Sequence, residues 1–228
     1  MSEGKFSSRW GTLVVMLGMA VGTGNIWRFP REAANNGGGS FLIPWVIFLL
    51  LWSVPLLLVE FAMGRAARRG PIGAFAKLFG KGRAWMGAWV AFTATAIMFY
   101  YSVVMGWTLR YLWASISRGV PMTSPEAATS FWEGFVGTPS AVLFHALAMG
   151  LGVWVVARGI QGIERAVRLL IPGLFVLVIV LAIRAVTLPG AGAGLEFLFT
   201  PHWADLKDAS VWVAALTQNA WDTGAGWG

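Results

Sequence analysis

The sequence of 228 residues contains no cysteine and only two histidines, His145 and His202. The lack of cysteine excludes disulfides and thiolate metal sites, and two histidines so far apart do not indicate a metal site. The sequence has no Ser-His-Asp set and no HExxH pattern, so it does not predict an enzyme. A histidine within an apolar stretch, such as His145, is more often a hydrogen-bonded packing residue than a ligand.

Charged residues are also scarce. They make up 12% of the chain, against 57% hydrophobic residues and 14 tryptophans, and the mean hydropathy is +0.67. This composition is too apolar for a soluble domain of this length, so it predicts an all-α integral membrane protein whose spans need about 20 mostly apolar residues each. We predict one transmembrane domain over residues 1–228, with spans near 11–35, 41–64, 86–114, 139–157 and 166–186 and an incomplete sixth span at 211–228.

Basic residues mark the loops that we expect on the cytoplasmic side. The loop after the second span contains no acid but six basic residues: Arg65, Arg68, Arg69, Lys77, Lys81 and Arg83. By the positive-inside rule this loop and the N-terminus face the cytoplasm, which predicts a multi-pass protein of the cell inner (plasma) membrane. The net charge of +7 is then explained by contact with the anionic leaflet of the lipid bilayer. Nucleic acid is not an expected partner.

The stretch MAVGTGNIWRFP at residues 19–30 interrupts the first predicted span with small and polar residues. Irregular backbone at membrane depth is tolerated only where it is buried in protein or lines a cavity. An unwound turn here would expose oxygen atoms that suit an alkali cation, while the N–H groups of the following half-helix suit an anion. The oxygens concerned are the carbonyls of Gly18, Ala20 and Val21 and the side chain of Asn25. The alternative is a helix-packing face formed by Gly18 and Gly22.

Several motifs resemble those of the neurotransmitter:sodium symporter family, and most closely its bacterial amino-acid transporters. They follow one another in the family's order over nearly the whole chain: GNIWRFP at 24–30, NNGGGSFLIPW at 35–45, PLLLVEFAMGR at 55–65, AIMFYYSVVMGWTL at 96–109, RGIQGIER at 158–165 and LEFLFTPHWADLKDASVWVAALTQ at 195–218. The resemblance implies the LeuT-type inverted-repeat fold, here the first five-helix repeat and the start of the sixth helix. Helices 1 and 6 are broken in that fold.

The resemblance also implies functional residues. The implied cofactor is sodium, as one or two ions, and the matching positions are Gly18 and Val21 for one ion and Ala20 and Asn25 for the other. The positions that match the substrate site are Thr23, Gly24, Ile97, Tyr101, Trp221, Gly224 and Trp227. Among them, the N–H groups of Thr23 and Gly24 and the hydroxyl of Tyr101 would receive a substrate carboxylate.

Two further charged residues match structural positions of the family. Arg28 matches the arginine of the outer gate, whose acidic partner belongs to a later span. Glu60 matches a buried glutamate that braces the first span from the second, and an acid at this depth is expected to have such a partner.

Asp222 departs from the family pattern, because amino-acid transporters of the family usually carry a hydroxyl residue there that contributes to the first sodium site. A carboxylate at this position suits three roles: a direct sodium ligand, a group that couples a proton, or a partner for the amine of a cationic substrate. The alternative is an N-cap of the second half of the broken sixth helix.

The expected function is sodium-coupled symport of an amino acid or related small amine by alternating access. Members of the family have about a dozen spans in two inverted repeats. We therefore expect the chain to be the N-terminal part of a longer transporter. The alternative function is that of a non-transporting ligand-binding or packing membrane protein of the same fold. The expected partners are the small-molecule substrate, sodium ions and the lipid bilayer.

Overall fold

The computed structural model describes residues 8–20, 24–117 and 124–222, and every regular element in these ranges is a helix. The α-helices are α1 Arg9–Ala20, α2 Phe29–Asn35, α3 Gly39–Phe48, α4 Val54–Ala67, α5 Pro71–Phe79, α6 Ala84–Ser117, α7 Pro125–Glu133, α8 Pro139–Val156, α9 Gly159–Val186, α10 Ala191–Phe199 and α11 Ala209–Asp222. Two π-helical turns, Gly24–Arg28 and Leu49–Ser53, lead directly into α2 and α4. Short 3-10 turns occupy Lys81–Arg83 and Asp205–Lys207. The expectation of an all-α chain is confirmed.

Four helical stretches in the described ranges are long and apolar enough to cross a membrane. They are Gly39–Ala67, Lys81–Ser117, Pro139–Val156 and Gly159–Val186, and they coincide with the second to fifth predicted spans. At most 11% of each apolar stretch is buried within the chain, so its side chains suit a hydrocarbon surrounding.

The first and sixth predicted spans are interrupted or incomplete in the described ranges. The first consists of α1 and of residues 24–35, and residues 21–23 lie outside the described residues. The sixth is described as far as the end of α11, and residues 223–228 lie outside. The break expected in each of these spans therefore stays a prediction.

The chain divides into a smaller unit, residues 92–163, and a larger unit that contains the other described residues. In the smaller unit α6 crosses α8 at Gly106, where a Cβ atom would lie 2.9 Å from the backbone nitrogen of His145. The Ser102 hydroxyl lies 2.9 Å from His145 Nε2. His145 is therefore a hydrogen-bonded residue of a helix crossing, and Trp107 joins α6 to α7 through an edge contact with Trp132.

The core of the larger unit lies where α3 packs on α11. Phe41 and Ala215 are fully buried there, and α2 contributes Ala33. The ring of Phe29 meets those of Phe41 and Trp45 edge-on, with centroid distances of 5.8 and 5.0 Å. These contacts connect the second half of the first predicted span to both α3 and α11.

The turn before α3 is formed by the glycines of the NNGGGS motif. Gly38 has φ +55° and ψ −107°, and a Cβ atom on it would lie 2.2 Å from the carbonyl oxygen of Phe197. The buried Ser40 hydroxyl accepts the His202 N–H at 2.9 Å and lies 2.9 Å from Asp205 Oδ2. The glycines and the serine therefore anchor the segment that follows α10, and this segment leads directly into α11.

Helix α1 packs on α9 through glycines on one face. A Cβ atom on Gly11 would lie 2.0 Å from Oε1 of the buried Glu164, and one on Gly18 would lie 3.0 Å from Cγ1 of Val167. Gly18 therefore lies in a helix-packing contact with α9, which agrees with the alternative left open for this residue. Gly22, the other glycine of that alternative, lies outside the described residues.

We predict that Gly38→Ala lowers the free energy of unfolding. The strained backbone alone costs about 1 to 3 kcal/mol for a residue with a Cβ atom, and the contact with the Phe197 carbonyl adds to this cost. Thermal unfolding of the full-length protein in detergent measures the effect. The matched control is Gly82→Ala, because no described atom lies within 4 Å of its Cβ position and its φ is ordinary. Equal melting temperatures for the two variants would contradict this account of the turn.

Candidate ion and substrate site

The π-helical turn Gly24–Arg28 joins the first span to the end of α11. The side-chain amide of Asn25 donates from Nδ2 to the backbone carbonyl of Asp222 at 3.1 Å. Single π turns inside membrane helices displace the backbone from regular helical register and often occur at functional sites. Two residues that sequence analysis assigned to ion binding, Asn25 and Asp222, are thus brought into direct contact.

Asp222 is the last residue of α11 and is 7% exposed. The indole Nε1 of Trp45 donates to Asp222 Oδ2 at 3.0 Å. Asp222 Oδ1 is also buried, and no donor in the described ranges reaches it. A buried carboxylate oxygen without a donor is costly unless a cation or a bound ligand compensates it. The N-cap alternative for Asp222 concerns residues outside the described ranges.

Arg28 acts on this carboxylate through its charge and is itself held by α11. Its Nη1 donates to Gln218 Oε1 at 2.6 Å, and its Nη2 lies 3.7 Å from Glu32 Oε1. The guanidinium carbon lies 5.6 Å from the centroid of the Trp221 ring, and the charge of Arg28 is close enough to act on Asp222. Arg28 is thus positioned by Glu32 of α2 and by Gln218 of α11. The acidic partner expected from a later span stays a prediction.

A buried hydrogen-bond network next to Asp222 was missed by sequence reasoning. Asn219 Oδ1 accepts from the Ser53 hydroxyl at 3.0 Å, and its Nδ2 donates to the carbonyls of Trp45 and Ala215 at 3.0 and 3.1 Å. Ser53 ends the second π-helical turn, and both Ser53 and Asn219 are fully buried. The available signal was the polar spacing of Gln218, Asn219 and Asp222 within an apolar span, because such side chains must find partners at membrane depth.

The remaining candidates are more widely distributed. Gly18 faces α9, Ala20 ends α1, and Glu60 lies partly buried in α4. Ile97 and Tyr101 are on α6 in the smaller unit, and both are partly exposed. Four candidates lie outside the described residues: Val21, Thr23, Gly224 and Trp227. The functional roles of all these residues stay predictions.

Comparisons with known proteins agree with this architecture. The model of the Sodium:neurotransmitter symporter family matches residues 3–134 and 133–228. The chain is 35% identical over 238 residues to an uncharacterized sodium-dependent transporter of Methanocaldococcus jannaschii, covering 100% of this chain and 48% of that protein. It is 36% identical over 217 residues to the uncharacterized sodium-dependent transporter YhdH of Bacillus subtilis, covering 92% of this chain and 48% of that protein.

A solved structure is similar over almost the whole chain. The crystal structure of MhsT in complex with L-phenylalanine superimposes with a TM-score of 0.84 at 37% identity, covering 99% of this chain and 54% of that chain. The fold and the helical stretches define a multi-pass membrane protein of the LeuT-type fold, as expected.

The chain belongs to the sodium:neurotransmitter symporter family, a family of transporters rather than enzymes. It spans about half the length of the relatives it matches.

We predict that Asn219→Ala destabilises the larger unit. The substitution removes the hydrogen bonds from the Ser53 hydroxyl and to the carbonyls of Trp45 and Ala215, and each such bond contributes about 0.5 to 1.5 kcal/mol. The matched control is Asn36→Ala, because the Asn36 amide bonds only within α2 and its C-terminal end and is partly exposed. Thermal unfolding should show a clearly larger decrease for Asn219→Ala, and the reverse order would refute a structural role for the network.

Proposed function

We propose that the chain forms the first half of the core of a sodium-coupled symporter that carries an amino acid or a related small amine by alternating access. One observation carries this proposal. The buried carboxylate of Asp222 has one oxygen bonded to Trp45 and one oxygen without a donor in the described ranges. Asp222 also lies where the end of α11 contacts the π-helical turn Gly24–Arg28. A buried carboxylate oxygen without a donor is more stable with a cation bound to it than without one, which favours an ion-binding role over a purely structural role.

Sodium is the cation that these residues suit best. Carboxylate, carbonyl and amide oxygens are hard ligands, and unwound turns of broken membrane helices supply them in transporters. Asn25 bonds to Asp222 through its amide nitrogen, so its amide oxygen is the atom that would act as a ligand. The proposed ligand atoms are the carbonyl oxygens of Gly18, Ala20 and Val21, the amide oxygen of Asn25 and the carboxylate of Asp222.

The substrate class follows from two considerations. The similar MhsT was crystallised with L-phenylalanine, which favours an amino acid. The N–H groups of Thr23 and Gly24 and the hydroxyl of Tyr101 are the proposed contacts to its carboxylate. Ile97, Trp221, Gly224 and Trp227 are proposed to line the pocket.

Asp222 constrains this choice. Its negative charge would repel a substrate carboxylate unless sodium lies between them, whereas it would attract a substrate amine. Arg28 is proposed as the outer-gate residue and Glu60 as the brace of the first span. The proposed topology is that of a multi-pass protein of the plasma membrane with a cytoplasmic N-terminus.

Ligand-dependent thermal stability tests the proposal. The full-length protein in detergent is heated with a panel of amino acids and amines, once in sodium and once in potassium. A compound that raises the melting temperature only in sodium supports coupled binding, because a ligand stabilises the state that it binds. Substrate flux into vesicles with an inward-directed sodium gradient, compared with vesicles in sodium-free medium, then separates a symporter from a non-transporting protein of the same fold. Equal shifts in sodium and potassium for every compound that binds would argue against sodium coupling.

We predict that Asp222→Asn weakens sodium binding. Removing the charge should raise the half-maximal sodium concentration for thermal stabilisation by about tenfold or more, which corresponds to about 1.4 kcal/mol. If Asp222 instead meets an amine, the variant should lose its preference for cationic substrates while the sodium midpoint is retained.

The matched control is Asp208→Asn, at the residue that precedes α11. Asp208 is exposed, and the backbone N–H and hydroxyl of Ser210 donate to it and hold its pKa below the ordinary value. This carboxylate is charged at neutral pH but lies away from the proposed ligands along the helix, so its loss should leave the sodium midpoint unchanged. Identical ion and substrate dependence for Asp222→Asn and the unmodified protein would rule out the proposed role of Asp222.

A further inference from the structure

The Trp45 indole donates a hydrogen bond to the Asp222 carboxylate, and the Gln218 side chain also acts on this carboxylate. An indole N–H can donate but not accept, so this bond favours the charged carboxylate. It occupies Oδ2 at 3.0 Å and leaves Oδ1 buried without a donor in the described ranges. The orientation of the carboxylate therefore depends on where the Trp45 ring is held.

Trp45 is held from both of the spans that are expected to be broken. Its ring meets the Phe29 ring at a centroid distance of 5.0 Å and an interplanar angle of 78°. Its backbone carbonyl accepts from Asn219 Nδ2 at 3.0 Å, and Asn219 is bonded in turn to Ser53. Phe29 follows the first π-helical turn and Asn219 lies on α11, so the indole is held by residues of the chain itself.

Gln218 is a second polar side chain near the Asp222 carboxylate. It precedes Asp222 by one helical turn, is fully buried, and lies close enough to act on the carboxylate. Its Oε1 accepts from Arg28, but its Nε2 has no hydrogen-bond partner in the described ranges. A carboxylate that was free to rotate would turn an oxygen towards this amide, because buried donors and acceptors pair where they can.

We propose that Trp45 is a positioning residue that sets the cation affinity of the site. Its indole N–H holds Asp222 Oδ2, which keeps Oδ1 from turning to the Gln218 amide and leaves it available to a monovalent cation. The proposal rests on the proposed role of Asp222 in sodium binding. The new element is that Trp45, a residue of the second span, affects the cation affinity without touching the cation. Groups that orient a metal-binding side chain are known to change the affinity of the site.

Trp45→Phe in the full-length protein tests the proposal. This substitution keeps an aromatic ring against Phe29. It removes the N–H donor and the five-membered ring that carries it. Sodium is titrated against the detergent-purified protein without substrate, and the melting temperature is recorded. We expect the half-maximal sodium concentration to rise about threefold to tenfold. An unchanged sodium midpoint would overturn the proposal.

The matched control is Trp212→Phe on α11. The Trp212 indole donates to the carbonyl of Leu206 at 2.9 Å, and its ring meets that of Phe48 edge-on. The substitution removes a comparable hydrogen bond and keeps an aromatic ring, at a distance from the carboxylate. We expect a lower melting temperature in every salt with the same sodium midpoint. A similar rise of the midpoint in both variants would mean that loss of stability alone explains the result for Trp45→Phe.

Combination with Asp222→Asn separates this proposal from the proposed function. If Trp45 acts through Asp222, Trp45→Phe should cause no further rise of the sodium midpoint when Asp222 is already replaced, because residues that act as a unit are not additive. If Asp222→Asn alone leaves the midpoint unchanged, the proposed sodium role of Asp222 fails. If Asp222→Asn raises the midpoint and Trp45→Phe does not, the positioning role alone fails.

A second variant covers the case in which Trp45→Phe does not fold. Asn219→Ser keeps the indole but shortens the side chain that donates to the Trp45 carbonyl. It should raise the sodium midpoint by a smaller factor, because the ring is then held less firmly. An unchanged midpoint in a folded Asn219→Ser protein would contradict the proposal.

Discussion

The burial of one carboxylate is the constraint on which the structure of the larger unit depends. A charged group removed from water is stable only if donors, cations or both replace its hydration. The chain supplies these from separate segments: the indole of Trp45 from α3, the positive charge of Arg28 from the π-helical turn before α2, and the amide of Asn25 on the neighbouring backbone carbonyl. Displacing any one of these segments would remove part of what replaces the hydration of Asp222.

The surrounding packing keeps those groups in register. Phe41 and Ala215 close the α3–α11 interface completely, and the Ser40 hydroxyl fixes the segment that leads into α11. The π-helical turn Leu49–Ser53 inserts an extra residue into the second span, which changes the face on which the following side chains lie. Ser53 thereby faces Asn219 rather than lipid, and a polar network is completed in a region that offers no water.

The parts of this picture that the sequence predicts are those that depend on composition and local pattern. Apolar length gives the four uninterrupted spans, and the family motifs single out Asn25, Arg28 and Asp222. The roles of Trp45, Ser53 and Asn219 could not be predicted, because each depends on which faces of two helices meet 160 to 180 residues apart in sequence. A tryptophan among 14 in an apolar chain carries no sign of its hydrogen bond. The packing of Gly18 on α9 could not be predicted either, because it depends on how the two helices meet in the folded chain.

The glycine face of α1 restricts how this helix can move. Gly11 and Gly18 are seven residues apart, two helical turns, and both meet α9 where a Cβ atom would be within 3.0 Å of a neighbour. Leu13 and Leu17, on other faces of α1, are about half exposed. Rolling α1 about its own axis would press these larger side chains into a contact that has room only for hydrogen atoms. Rotation of α1 about its own axis is therefore costly, and the two glycines restrict the first helix to movements that keep this face against α9.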